Sequence, residues 1–276
     1  MAPLPLQALI FDVDGTLAET ERDGHRVAFN RALAAAGLPW QWPEELYGRL
    51  LMIAGGKERL AYYLQWYRPE FRPGDGDLEA WIAALHRSKT AYYQELLASG
   101  AIALRPGVRR LITAAQAAGV RLAIATTSAL PNALALLEQQ LDPAWFEVIA
   151  AGDIVPRKKP APDIYHYVLE ALGLPAAACV AIEDSEPGAI AAQGAGLTTV
   201  VTVNDYTRAQ QFPGAALVLD SLGDSDRPCR RLGGLAPLDP RPTLTLAHLT
   251  ALIAPGRGAS HLGDSPSPSW EEGAKG

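Results

Sequence analysis

The amino-acid sequence predicts an α/β fold, a doubly wound parallel sheet with an all-helical insertion after its first strand. Short apolar runs alternate with helical patterns along most of the chain, which is typical of a parallel sheet covered by helices on both faces. The alternation stops between residue 17 and about residue 105, where helical patterns follow one another with no strong strand pattern. This interruption predicts a separate helical unit inserted into the α/β core.

The predicted strands are short apolar runs without internal charges. They lie at residues 8–11, 121–126, 148–150, 179–182 and 199–203. The helical patterns between and after them lie at residues 108–118, 132–141, 162–172 and 187–195. Gly119, Gly173 and Gly196 follow three of these patterns, and glycine directly after a helix is typical of a C′ cap.

The interruption is rich in helix formers and aromatic residues, which we expect to form a core of their own. Helical patterns lie near residues 19–36, 44–53, 57–67 and 77–98, and Arg105-Pro106-Gly107 resembles a hinge back to the core. We therefore expect a catalytic core at residues 6–16 and 106–224, a helical cap at 17–105 and an extension at 225–276. The extension is expected to be largely irregular, with one helical pattern at 243–254 and an irregular end at 255–276.

Composition excludes several classes of protein. The chain has 276 residues, of which 49% are hydrophobic and 20% charged, as in an ordered globular protein. Its net charge of −6 argues against nucleic-acid binding through a basic field. The sequence contains no run of 18 apolar residues, so no membrane span is predicted, and its start lacks the basic region of a signal peptide. Two cysteines suit a reducing compartment, so we expect a cytoplasmic protein, and a monomer because no exposed apolar heptad is present.

Polar and charged groups follow four of the predicted strands or their connections. Asp12 and Asp14 come directly after the first strand. The other groups lie in ATTS (125–128), RKKPAPD (157–163) and IEDSEPG (182–188). Because ligands bind at the carboxyl ends of the strands of an open parallel sheet, we expect these four loops to converge on one edge.

The chemistry of these loops points to phosphoryl transfer. Carboxylates without histidine or cysteine form a hard oxygen site that suits Mg²⁺. Hydroxyls and amides at Thr126 and Thr127 suit phosphate oxygens, and a lysine adds a compact positive charge. One aspartate can act as nucleophile, and a second, two residues on, as acid and base. An ordinary strand-to-turn junction would explain the paired aspartates alone, but not all four loops in this order.

These residues resemble a known family. DVDGT, TTS, KKPAPD and EDSEPG, in this order, are similar to the four motifs of the haloacid dehalogenase superfamily of phosphohydrolases, and the resemblance covers about residues 6–224. It implies a Rossmann-like core with a helical cap after the first strand. It also implies that Asp12 is the nucleophile, Asp14 the acid and base, and Lys159 the motif lysine. Thr126 and the amide of Thr127 would bind the phosphate.

The same resemblance implies a Mg²⁺ cofactor. Its protein ligands would be Asp12, the backbone carbonyl of Asp14, and Asp184, with Glu183 in support.

A finer resemblance lies in the helical insertion. The stretches 19–30, 46–60 and 85–93 resemble the CbbY group, whose characterised members are xylulose-1,5-bisphosphate phosphatases. The resemblance implies a phosphorylated sugar as the partner, with xylulose 1,5-bisphosphate, a Rubisco inhibitor, converted to xylulose 5-phosphate. The spacing from Asp12 to His25 is one residue longer than in some bacterial members.

A bisphosphate needs cations for its distal phosphate, and the insertion offers two lysines. Lys57 follows the flexible Gly55-Gly56, and Lys89 lies on a predicted helix. Without the resemblance, both lysines would be interpreted as solvated surface charges. Two further residues near the hinge are candidates to bond sugar hydroxyls; they are Glu21 and His25.

Other functions remain open at this point. A phosphoglycolate phosphatase or a β-phosphoglucomutase would use the same core. Haloalkanoate dehalogenation is disfavoured, because Mg²⁺ ligands and an acid–base Asp14 would be superfluous. A phospho-accepting signalling domain would need no substrate cap, so the insertion with Gly55, Gly56 and Lys57 argues against it.

Overall fold

The computed structural model describes residues 6–53, 55–74, 76–152 and 154–253, and it confirms the predicted α/β core. The predicted irregular end at 255–276 lies outside the described residues, as does the last residue of the predicted helix at 243–254. Among the described residues, no helix is long and apolar enough to cross a bilayer.

The core is a seven-stranded sheet of order β3-β2-β1-β4-β5-β6-β7, in which all pairs are parallel except β6 with β7. The strands are β1 Ala8–Phe11, β2 Arg121–Thr126, β3 Val148–Ala151, β4 Cys179–Glu183, β5 Thr198–Thr202, β6 Leu217–Leu219 and β7 Arg231–Gly233. The five predicted strands are confirmed within one residue at each end. The last two were not predicted, because β6 is an apolar run of only three residues and β7, Arg-Leu-Gly, has no strand pattern.

Both faces of the sheet are covered, as the continuous apolar runs require. In β1, Leu9 and Phe11 point into one apolar cluster, and Ala8 and Ile10 point into the other. The helices that follow the insertion are α5 Val108–Ala117, α6 Leu130–Gln140, α7 Asp163–Leu172, α8 Glu186–Gly194 and α9 Leu246–Ile253. The three predicted C′ glycines all have positive φ, between 64° and 79°.

The interruption after β1 is helical throughout its regular elements. They are a π-helical turn at Thr20–His25, α1 Arg26–Ala35, α2 Glu44–Leu50, α3 Gly56–Tyr67 and α4 Leu78–Ala98. Phe29, Trp42, Tyr47 and Tyr63 are fully buried in an apolar cluster formed by these helices. The prediction that the aromatic residues form a core is confirmed for these four. It is wrong for Trp66, which is 63% exposed on α3.

The predicted return hinge is a buried junction built on one arginine. The guanidinium of Arg105, on a residue 6% exposed, donates to the carbonyls of Gly15, Thr202 and Val203, and it lies 2.8 Å from a carboxylate oxygen of Glu19. The segment that leaves β1 and the segment that returns to α5 are therefore fixed to the same end of the sheet.

Part of the predicted extension belongs to the folded core. Strand β7 pairs antiparallel with β6, and helix α9 packs close to α5 and β4. Leu244 and Leu249 are fully buried in the same apolar cluster as Leu9 and Phe11. Residues beyond 224 thus complete one face of the sheet, which their proline-rich and glycine-rich composition did not predict.

Candidate active site

A buried lysine joins three strand ends at the carboxyl edge of the sheet. The ammonium of Lys159 donates to Asp12 Oδ1 at 2.8 Å, to Glu183 Oε1 at 2.6 Å and to the carbonyl of Ala125 at 2.8 Å. The side chains of Lys159 and Asp12 are less than a tenth exposed, and that of Glu183 is not exposed. Burial alone would lower the pKa of Lys159, but the carboxylates of Asp12 and Glu183 outweigh it and raise that pKa. The lysine is therefore a fixed positive charge beside Asp12.

Three carboxyl groups predicted to converge do so. Oxygen atoms of Asp12, Glu183 and Asp184 lie within 4.8 Å of one another, and all three residues are buried. Burial and the neighbouring charges of Asp12 and Glu183 raise the pKa of Asp184 well above its usual range. A set of oxygen donors with this excess of negative charge fits a hard divalent cation such as Mg²⁺.

The two acidic residues of the fourth motif have different surroundings. Glu183 Oε1 accepts from Lys159 and from the hydroxyl of Tyr165, so it fixes the lysine. Asp184 Oδ2 accepts from the side-chain amide of Asn204 at 2.7 Å. This division agrees with Asp184 as a direct ligand and Glu183 in support.

A glycine allows the first and fourth motif loops to approach each other. Gly15 has φ of +83°, and a Cβ there would lie 2.3 Å from Asp184 Oδ2 and 2.6 Å from Asn204 Nδ2. Any side chain at this position would thus be both strained and in collision with the acidic cluster.

Asp14 lies beside Asp12 in sequence but has a different set of partners. Thr20 Oγ1 donates to its Oδ1 at 2.5 Å, and the hydroxyl of Ser128 donates to its Oδ2. Burial, followed by the charge of Asp12, raises the pKa of Asp14 to about 6, and the two hydroxyl hydrogen bonds oppose that rise. Val13 between them is buried in the core. The side chain of Asp14 is outside the acidic cluster, which leaves its predicted contribution as a ligand to its backbone carbonyl.

The loop ATTS, residues 125–128, lies next to Asp14. Thr126 is buried at the end of β2, and its Oγ1 accepts the backbone N–H of Ser128 at 3.2 Å. Thr127 is exposed, and α6 begins three residues later at Leu130. The loop predicted to bind phosphate is therefore hydrogen-bonded to Asp14 through Ser128, and the N-terminus of α6 follows it closely.

The helical insertion holds a second polar cluster. Lys89 is 7% exposed, and its Nζ lies 2.8 Å from His25 Nδ1 and 5.0 Å from the centroid of the Tyr93 ring. The His25 ring stacks on Tyr93 with centroids 3.8 Å apart. Burial, and then the charge of Lys89, holds the pKa of His25 well below its usual value. A neutral His25 accepts from the lysine at Nδ1, which leaves its N–H on Nε2.

A π-helical turn precedes α1 and carries His25 at its end. A π-helix bonds residue i to i+5, so each turn holds one residue more than an α-helical turn. The turn at Thr20–His25 ends directly before α1 begins at Arg26. From the end of this turn, His25 reaches Lys89.

Glu21, predicted to contact sugar, belongs to a buried hydrogen-bond chain. The hydroxyl of Tyr47 donates to Glu21 Oε2 at 2.6 Å and accepts from Arg59 Nη1 at 3.1 Å. Arg59 is 9% exposed and was not predicted. Its signal in the sequence is a charge within the buried stripe of α3, one turn before Tyr63.

The predicted Gly55-Gly56-Lys57 turn forms the start of α3. Gly55 has φ of +91°, and a Cβ at Gly56 would lie 2.3 Å from Nε2 of His86. Lys57 is exposed at the second position of the helix. Burial, followed by the charges of Lys89 and Lys57, lowers the pKa of His86. Both predicted lysines thus lie near this histidine, although only Lys89 is buried.

Several residues that contact the predicted site were not singled out from the sequence. They are Thr20, Ser128, Tyr165 and Asn204. Asn204 had a usable signal, since it lies two residues after β5 and the rule for strand ends applies equally to the fifth strand.

Lys89 gives a prediction for stability against pH. Burial, assisted by the charge of Arg59, lowers its pKa from 10.5 to about 8, against the opposing charges of Glu21 and Asp14. Between pH 8 and 10.5 the unfolded chain binds more protons at this lysine, so the contribution of Lys89 to the free energy of unfolding should rise with pH there. Lys89→Met should remove that rise and stabilise the protein at pH 7 by about 1–3 kcal/mol.

Urea unfolding at pH 7 and pH 9.5 measures this effect. Lys57→Met, at an exposed lysine on the neighbouring helix, should keep the wild-type rise. An unchanged rise in Lys89→Met would show that another group causes the pH dependence.

Comparison with known proteins identifies a matching family and similar relatives. A family model described as haloacid dehalogenase-like hydrolase matches residues 6–196. The protein CbbY of Rhodobacter capsulatus is 52% identical over 77% of this chain and 92% of its own length.

Solved structures agree with this match. The crystal structure of CbbY from Rhodobacter sphaeroides in complex with phosphate superposes with a TM-score of 0.65 and 48% identity, covering 78% of this chain and 94% of that chain. A mutant of the same protein, in complex with xylulose-(1,5)bisphosphate, gives the same TM-score, identity and coverage.

Proposed function

The chain belongs to the haloacid dehalogenase-like hydrolases, within their CbbY group, and we propose that it hydrolyses xylulose 1,5-bisphosphate to xylulose 5-phosphate and phosphate. The observation that carries this proposal is the pairing of two sites. One is the group of carboxylates around Lys159 at the sheet edge, and the other is the polar cluster around Lys89 in the helical insertion. A relative crystallised with this bisphosphate supports the choice of substrate.

The two sites are adjacent. Thr20, which donates to Asp14, lies in the same π-helical turn as Glu21 and His25. Lys89 is close enough to Asp14 for the carboxylate charge to raise the lysine's pKa. One phosphate of a sugar bisphosphate would therefore bind beside Asp12 and Lys159, and the phosphate at the other end of the sugar would bind in the helical insertion.

Asp12 is the nucleophile in this proposal. A carboxylate oxygen of Asp12 attacks the phosphorus of the 1-phosphate, the bond from phosphorus to the sugar oxygen breaks, and Asp14 gives its proton to that oxygen. Asp14 then takes a proton from water, whose oxygen attacks the aspartyl-phosphate. The bond from Asp12 to phosphorus breaks, which releases phosphate and restores both aspartates.

The charges around Asp12 suit this transfer. Lys159 holds Oδ1 of Asp12 and remains protonated between Asp12 and Glu183. Asp12, Asp184 and the Asp14 carbonyl would hold the cation, with Glu183 fixing the lysine. Bound Mg²⁺ supplies Lewis-acid stabilisation of the charge on the transferred phosphoryl group. Two further groups would bind the phosphoryl oxygens; they are the Thr126 hydroxyl and the Thr127 amide.

The insertion would select the substrate. Lys89 and Arg59 place positive charge inside it, and Lys57 adds an exposed charge at the start of α3. The amide groups of Gly55 and Gly56 are candidates for the distal phosphate at that helix start. Glu21 and the Nε2–H of His25 can bond sugar hydroxyls. The monomeric state and cytoplasmic location expected from the sequence stay predictions.

Phosphate release from a panel of substrates with Mg²⁺ tests the proposal. The panel is xylulose 1,5-bisphosphate, ribulose 1,5-bisphosphate, β-glucose 1-phosphate and phosphoglycolate. We expect preference for the first, and Lys57→Ala should raise its KM about tenfold with little change in kcat, because the lost contact binds ground state and transition state alike. Lys158→Ala, at an exposed lysine of the core, is the control.

Two outcomes would contradict the proposal. A flat profile or a preference for phosphoglycolate would remove the bisphosphate assignment. Conservation of total organic phosphate with β-glucose 1-phosphate would indicate a mutase instead.

A further inference from the structure

The loop Asn204–Thr207, here called the bridging loop, follows β5 and contacts both the acidic cluster and the helical insertion. We infer that the bridging loop couples metal binding at Asp184 to the position of helix α2. The inference rests on the metal site of the proposed function, but it concerns a separate property of the chain.

One side-chain amide connects Asp184 to the bridging loop. Nδ2 of Asn204 donates to Asp184 Oδ2 at 2.7 Å. Oδ1 of the same amide accepts the backbone N–H groups of Tyr206 at 2.9 Å and Thr207 at 3.1 Å. Asn204 is only 7% exposed. Because the amide is planar, the orientation that serves Asp184 also fixes the backbone of Tyr206.

At its other end the bridging loop packs on the insertion. The ring of Tyr206 lies against α2, where a Cβ at Gly48 would approach Tyr206 Cδ1 to 3.0 Å. Its ring centroid is 5.9 Å from that of Tyr47. Asp205 accepts from Arg22 Nη1 at 2.9 Å, which ties the loop to the π-helical turn. Glycine at position 48 thus allows the close approach of the tyrosine ring.

The contact between Tyr206 and α2 is next to Glu21, one of the residues proposed to bind the sugar. Tyr47 packs against Tyr206 and donates its hydroxyl to Glu21. At the start of the loop, Arg105 holds the carbonyls of Thr202 at 2.7 Å and Val203 at 2.6 Å. The backbone before the bridging loop is therefore anchored. A change at Asn204 is transmitted towards Tyr206 and α2 rather than into β5.

Coupling through such a loop is reciprocal. A cation that fixes Asp184 also fixes the Asn204 amide, which orders Tyr206 and the helix packed on it. The same free energy must appear as tighter cation binding when α2 is held in place.

Hydrogen exchange with and without Mg²⁺, in the absence of any substrate, measures the coupling. We expect Mg²⁺ to slow exchange of the amides of α2, Glu44–Leu50, by at least about threefold. Tyr206→Ala should abolish this slowing, although it removes no contact of Asp184. Its Mg²⁺ affinity by calorimetry should fall by the same factor, because the lost coupling free energy is the same in both directions.

Two variants serve as controls. The Tyr206 hydroxyl has no hydrogen-bond partner among the described residues, so Tyr206→Phe should retain the ring contact and the slowing. Tyr62→Ala removes an aromatic side chain of α3 whose ring lies beside that of Trp66, and should also retain the slowing.

The outcomes separate this inference from the proposed function. If Mg²⁺ binds but exchange in α2 does not change, or changes equally in Tyr206→Ala, the coupling is refuted and the phosphatase proposal stands. If α2 responds to Mg²⁺ as expected but no phosphate is released from any sugar phosphate, the coupling stands and the proposed function fails. Absence of Mg²⁺ binding would overturn both.

Discussion

Asp12→Asn is expected to lower phosphate release from xylulose 1,5-bisphosphate by at least about 10⁴-fold, the scale seen when a nucleophile is removed. The amide has the shape of the carboxylate, and its oxygen can still accept from Lys159, so the fold should persist. It lacks the charge needed to attack phosphorus and is a poorer ligand for a cation. Malachite-green detection of phosphate measures the loss, and circular dichroism measures the fold.

A matched variant tests whether the loss of a negative charge elsewhere on the protein also lowers turnover. Glu138→Gln makes the same acid-to-amide change at an exposed position on α6, and its turnover should equal that of the wild type. Turnover of Asp12→Asn within tenfold of the wild type would mean that phosphoryl transfer does not proceed through Asp12.

Lys159→Met is expected to destabilise the protein by about 3–5 kcal/mol at neutral pH in Mg²⁺-free buffer. The lysine contacts Asp12 and Glu183, and Asp184 adds a third carboxyl group nearby. Methionine fills a similar volume, so the loss reports the buried negative charges left without a partner. Urea unfolding gives the free energy.

Two further variants define the cause. Lys158→Met changes the exposed neighbour and should leave stability within about 0.5 kcal/mol of the wild type. Adding Glu183→Gln to Lys159→Met should restore part of the loss, because one unpaired charge disappears. Equal stability of the two single lysine variants would contradict the assigned role of Lys159 as the counter-ion of the acidic cluster.

The candidate catalytic residues at the carboxyl edge of the sheet could be predicted from the sequence, because their position depends only on which residues follow each strand. Each of Asp12, Thr126 and Asp184 comes at or directly after a buried strand, and a parallel sheet brings strand ends together whatever the details of packing. Lys159 follows β3 through a longer loop, and it was the family resemblance that distinguished it from Lys158. The convergence of these groups required no knowledge of side-chain contacts.

The groups that the sequence did not indicate depend on contacts between distant segments. Tyr206 meets Gly48 across the boundary between core and insertion, and nothing in either local pattern records the other. Arg59 is buried with its guanidinium donating to the hydroxyl of Tyr47 and to the carbonyls of Leu50 and Ile53, all outside its own helix. Strand β7 forms only because β6 offers an edge. These features depend on tertiary packing, which local sequence propensity does not record.

The most direct test of the central claim is the identity of the products. Wild-type protein would be incubated with xylulose 1,5-bisphosphate and Mg²⁺ and followed by ³¹P NMR. We predict that the signal of the 1-phosphate disappears, one equivalent of inorganic phosphate appears, and the 5-phosphate signal persists as xylulose 5-phosphate. Loss of the 5-phosphate instead, loss of both phosphates at equal rates, or an unchanged spectrum would contradict the assignment of Asp12 to the 1-phosphate and of the insertion to the distal one.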